Sequence, residues 1–169
     1  MSLTRSTAGT YAERIMNELV GFRDRGVRAL VLLHERELRT CLVTWRRALA
    51  WGVELPATGQ HDASPQASFR HVLSAAGGYL RWLAQHLELG DVGLDEVPGI
   101  EDIEEQADAY LEHLLERWRT VLRDVPRERL RESYPTKWVP ALVVEAMLEH
   151  AVVHPMRHTL QLEGLMTPS

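Results

Sequence analysis

Apolar residues recur at helical spacing along most of this chain, and no sustained alternation of apolar and polar residues argues for a strand. From Val27, the positions Leu30, Val31, His34, Leu38, Cys41, Leu42, Trp45 and Leu49 form one long stripe that fades at Gly52 and Pro56. Ahead of it Tyr11, Ile15, Met16, Leu19 and Val20 trace a shorter stripe, with Thr10 placed to cap it, and the pattern weakens over residues 23–26. Residues 53–65 are turn-rich and aperiodic, which makes them a connection. Ser64 and Pro65 then open a second helix reaching about Leu89, because a serine can cap free amides and a proline at the first helical position loses no bond.

After a loop over residues 90–99, a third helix is marked by Ile103, Ala107, Tyr110, Leu111, Leu114, Trp118 and Leu122. Glu101, Asp102, Glu104 and Glu105 stand in its first turn, where the helix dipole favours acids. Residues 124–140 are polar and broken by Pro126, Pro135 and Pro140, and a fourth helix is expected from about Pro140 to Met166. The expectation is an all-α protein, a four-helix bundle with an additional N-terminal helical segment, forming one domain over residues 1–169 with a polar tail at 1–10.

Composition narrows the function. The 169 residues are 45% hydrophobic, enough for one sizeable core. Twenty-four acids against nineteen bases give a net charge of -5, and no basic tract is present to neutralise a row of phosphates, which argues against nucleic acid. No leader and no long apolar run is read, so a cytoplasmic location away from the membrane is expected. The one cysteine, Cys41, falls on the apolar stripe and reads as a core residue and not a reactive thiol.

The chemistry lies in the histidines. The stretch EHAVVHPMRH, residues 149–158, carries His150, His154 and His158 at four-residue spacing, so that neighbours share one helix face and can aim at one ion. All three cannot share it, since His150 and His158 are about 12 Å apart along the helix. Either adjacent pair would serve, and a further ligand must come from another helix. His61 in a loop, His113 off its stripe and His86 near a helix end are weaker candidates; His34 and His71 face inward. His34, among Leu30, Val31 and Leu38, reads as a satisfied core histidine. His71 precedes Ser74, Ala75, Ala76, Gly77 and Gly78, small residues that mean close packing or a cavity.

These two stretches resemble known sequences. LEHAVVHPMRHTLQLEGL is similar to the last-helix signature H-x-x-x-H-x-x-x-H-x-x-Q of the DinB/YfiT-like proteins, with His150, His154, His158 and Gln161 in its four positions. FRHVLSAAGGYL resembles the same family's second-helix motif. The resemblance spans roughly residues 25–166 and implies an up-down-down-up bundle whose metal, usually zinc or nickel, is held by His71, His154 and His158. Family members include thiol-dependent transferases and isomerases, among them bacillithiol transferase and mycothiol-dependent maleylpyruvate isomerase. Pro155 and Thr159-Leu160 depart from the common pattern and bear on the substrate more than on the metal.

A metal-dependent enzyme acting on a small-molecule substrate is therefore expected. Three neutral imidazoles leave a tetrahedral ion one open position, where a low-molecular-weight thiol or water could be activated for transfer, isomerisation or hydrolysis. Gln161, then His150 and Glu149, are candidates to orient the imidazoles, and Arg157 is a candidate to attract an anionic substrate or cofactor. The competing reading is a non-catalytic metal-binding or dimerising bundle, and the partner considered for the chain is a second copy in a homodimer. Pro155 removes one helical hydrogen bond, so a bend is expected there.

Overall fold

In a computed structural model the described residues are 21–55 and 64–166. Thr10, the N-terminal stripe and His61 lie outside them. Four helices follow in order: α1 (Arg25–Ala50), α2 (Pro65–His86), α3 (Ile103–Leu122) and α4 (Val144–Leu165). Each starts where local chemistry lets it. The Asp24 carboxylate accepts from the amides of Gly26 and Val27 to cap α1, and Ser64 Oγ accepts from Ala67 N with Pro65 in the first turn of α2. Asp102, by contrast, makes no side-chain cap for α3, whose first turn instead carries Glu104 and Glu105.

One core draws on all four helices, with Trp45, Phe69, Leu80, Leu111, Trp118 and Met147 among its buried members. Trp45 stacks on Phe69 at 4.5 Å between ring centroids, tying α1 to α2. α1 packs most extensively against α4, which is also the main partner of α2. On the α1–α3 side a buried charge fastens the pair: Glu35 accepts from Arg119 Nε at 3.0 Å and Nη2 at 2.5 Å, and from Arg39 Nε at 3.0 Å. Arg39 continues this network to Glu112, and Arg46 pairs with Asp108 one turn further along.

The segment between α3 and α4 departs from the expected open connection. A short 3-10 helix (Arg127–Arg131) leads into β1 (Ser133–Tyr134), which pairs antiparallel with β2 (Leu142–Val143). The fourth helix therefore begins at Val144 and not at Pro140, because Leu142 and Val143 are taken up in backbone bonding to the preceding strand. This hairpin is fastened to α2: Trp82 Nε1 donates to Pro135 O at 2.9 Å, and the His86 ring stacks on Tyr134 at 4.6 Å. Helix α4 continues through the buried Pro155 as one element. Among the described residues no helix is long and apolar enough to cross a membrane.

Candidate metal centre

Two helices converge their histidines. His71 stands in the second turn of α2, and His154 and His158 stand one turn apart on α4, the helix against which α2 packs. Each of the three offers a ligand atom within 4.8 Å of the others. Their ring centroids are separated by 5.1 Å (71 to 154), 5.5 Å (71 to 158) and 4.9 Å (154 to 158), all at steep interplanar angles. Two donors of one tetrahedral ion with metal–nitrogen bonds of about 2.1 Å lie roughly 3.4 Å apart, so a closure of about an ångström, within the reach of imidazole side-chain rotation, would let the three rings hold a divalent ion.

The environment suits neutral imidazoles. His154 is 7% exposed and its pKa is lowered to about 3, chiefly by burial and then by the positive charges of His158, His71, His150 and Arg157. It thus keeps its lone pairs for coordination at any ordinary pH. Its Nδ1 is buried and has no hydrogen-bond partner among the described residues. Such a bare buried polar atom is costly unless an ion satisfies the ring. His158, 8% exposed, has its Nδ1 3.3 Å from Ser68 Oγ, a contact that fixes the angle of the ring.

His150, one turn before His154, stands apart from this cluster. Its ring centroid is 6.2 Å from that of His154, and its Nε2 is 3.2 Å from Tyr79 Oη. Tyr79 in turn meets His154 edge-on at 5.8 Å, so the tyrosine joins the two histidines across the gap between α2 and α4. Trp138, at the tip of the hairpin, lies 5.5 Å from the His150 ring.

The remaining sequence candidates fall elsewhere. Glu149 and Gln161 are exposed, and Ser68, which the sequence does not single out, has its hydroxyl within hydrogen-bonding distance of His158. Arg157 is also exposed, yet its charge bears on Tyr79, His150 and His154. His34 is in the core as expected, against Trp118 at 4.2 Å, but it is not satisfied: neither ring nitrogen has a partner among the described residues. His86 stacks on the hairpin, and His113 accepts from the backbone amide of Asp95 at 3.3 Å. Cys41 is buried, and burial pushes its thiol up to about 12, against a smaller lowering by a hydrogen bond with Thr159.

The small residues after His71 provide both close packing and open space. A side chain at Gly77 would meet Leu94 Cδ2 at 2.9 Å, so that glycine permits a close approach of the 90–99 loop. A side chain at Gly78 would meet nothing, and Ser74 is exposed, which leaves room on the surface beside the half-buried His71. A separate groove of about 670 Å³ runs along α1 between Leu33, Val43, Arg47 and Glu163, but none of the three clustered histidines lines it. No protein-family model, curated protein or solved structure matches the chain.

Proposed function

We propose that His71, His154 and His158 hold one divalent metal ion, zinc or nickel, and that the protein is a metal-dependent enzyme of the DinB/YfiT-like kind with the up-down-down-up helix order of that family. The observation that carries this reading is the set of three donor atoms within 4.8 Å, two of the histidines buried. A bound ion with three protein ligands supplies an open position at which a thiol or a water loses its proton near neutral pH. The chain's own residues do the rest. Ser68 fixes the His158 ring, burial keeps His154 unprotonated, and Tyr79 with His150 offers a polar pair next to His154, within hydrogen-bonding distance of one another.

An external thiol suits this site better than an internal one. Cys41 lies on α1 with a raised pKa, so it supplies no thiolate for the reaction. Ser74 and Gly78, exposed one and two turns beyond His71 on the same helix, mark the side from which a small substrate would approach in this reading.

Elemental analysis of protein purified without a nickel column tests the reading. One divalent ion per chain is expected in the native protein, with loss of that ion in His71→Ala, His154→Ala and His158→Ala and retention of helical circular dichroism. Unchanged metal content in all three variants would sink it. Retained metal with no turnover of low-molecular-weight thiols and model electrophiles, and no hydrolysis, would leave a metal-binding bundle without catalysis.

A further inference from the structure

The hairpin between α3 and α4 has a built tip. Thr136 N donates to Val139 O at 3.0 Å, and Thr136 Oγ1 accepts from the amides of Trp138 at 3.1 Å and Val139 at 3.0 Å. With Trp82 holding Pro135 to α2, these bonds set the position of Trp138. The indole ends up 5.5 Å from the His150 ring and 6.2 Å from Tyr79, itself 5.2 Å from His150, and still 60% exposed. A large indole left in water beside a candidate site, on a tip so firmly hydrogen-bonded, has a face to offer a ligand.

Bare aromatic faces attract planar groups and cations alike, and the surrounding charge decides between them. Here the neighbouring charge is basic: Arg157, exposed on α4, stands one turn beyond His154 and two beyond His150 on the same helix face, and its charge reaches Tyr79, His150 and His154. A cation would be repelled and an anion drawn in. Gly78, next to Tyr79 in α2, is exposed and an added side chain there would meet nothing.

We infer that Trp138, backed by His150 and the buried Tyr79, forms an aromatic wall that selects a planar organic anion, of the aromatic carboxylate class, its ring against Trp138 and its negative charge toward Arg157. This rests on the reading of the three histidines as the reaction centre, which it deepens by naming the substrate class. Trp138 is then a specificity-determining residue.

Isothermal titration of the native protein with benzoate, cyclohexanecarboxylate, benzamide and benzylamine tests the wall, with metal content measured on the same samples. Benzoate should bind at least tenfold more tightly than the saturated acid, the neutral amide or the amine. Trp138→Ala should abolish the preference for benzoate over cyclohexanecarboxylate, and Arg157→Gln the preference over benzamide, with metal content unchanged in both. Equal binding of the four probes, tighter binding of benzylamine, or an unchanged preference in Trp138→Ala would overturn the inference. If the native protein lacks metal but keeps the benzoate preference, the metal reading fails and the wall stands; metal without the preference is the reverse.

Discussion

Ser68 Oγ and His158 Nδ1 lie 3.3 Å apart, joining two buried side chains ninety residues apart in sequence across the α2–α4 interface. A hydroxyl in that position fixes the tautomer and angle of the imidazole, and groups of this kind commonly account for 10–100-fold in metal affinity. Ser68→Ala should therefore weaken divalent-ion binding by roughly tenfold or more. Competition with a chromophoric chelator would measure this, with thermal unfolding of the metal-free protein as control. Undiminished affinity would show that His158 is held by other contacts.

His34 should make the protein acid-sensitive without touching the metal. Burial lowers its pKa from 6.5 to about 3, so between those values the unfolded chain binds a proton that the folded one refuses. Stability from this group is complete above pH 6.5 and is lost as pH falls toward 3, by about 2 kcal/mol at pH 5. Since neither ring nitrogen has a partner among the described residues, His34→Leu should be neutral or stabilising at pH 7.5 and should flatten the acid limb by close to one proton. Urea titrations of metal-free protein at pH 5 and 7.5 give the comparison; a large loss for the variant at pH 7.5 would point to a hidden partner.

Glu35 is 4% exposed and accepts from two arginines, so its removal takes a buried carboxylate away from Arg39 and from Arg119, itself largely covered. Glu35→Ala should cost about 3 kcal/mol or more, as breaking a buried ion pair from one side generally does. Chemical denaturation of this variant beside Arg46→Ala, whose pairing with Asp108 is at the surface, should show a much smaller loss for the latter.

The two neighbouring glycines of α2 should respond unequally to the same substitution. Gly78→Ala adds a side chain into open space and should stabilise the helix by roughly 0.5–1 kcal/mol. Gly77→Ala must push Leu94 aside and should lose part or all of that gain. Melting temperatures of the pair decide it, and equal shifts would mean that Leu94 yields freely.

Trp82→Phe keeps the ring that packs on His86 and Tyr134 while deleting the donor to Pro135. Amide exchange at Trp138 and Val139 should quicken several-fold, while exchange within α2 stays unchanged. Unaltered exchange at the hairpin tip would mean that the Thr136 bonds alone hold it.

Periodicity makes the helices legible to within a few residues, because each buries a continuous stripe, and the first two also start at side chains that cap or tolerate a free amide, as Asp24, Ser64 and Pro65 do. The hairpin is not legible. Its ladder is two residues long and is held by Trp82 from another element, which leaves no alternation to read in a segment broken by prolines. Within the histidine set, spacing alone does not separate the pair 150 and 154 from 154 and 158; Tyr79, which takes up His150, makes the difference in space. Ser68 is within reach of sequence reasoning, lying three residues before His71 on the same helix, whereas Trp138 carries no local signal of its place. His34 and His71 both sit inward, and only packing against Trp118 or against α4 tells them apart.

Cys41 gives the chain a built-in gauge. It is the protein's one cysteine, it is buried on α1 in hydrogen-bonding reach of Thr159 on α4, and its thiol donates nothing to the proposed chemistry. Modification by an added disulfide reagent must wait for the two helices to part, so its rate counts openings of that interface, with or without an ion in the histidine cluster. The same burial means that thiol turnover seen in untreated protein belongs to the thiol that was added.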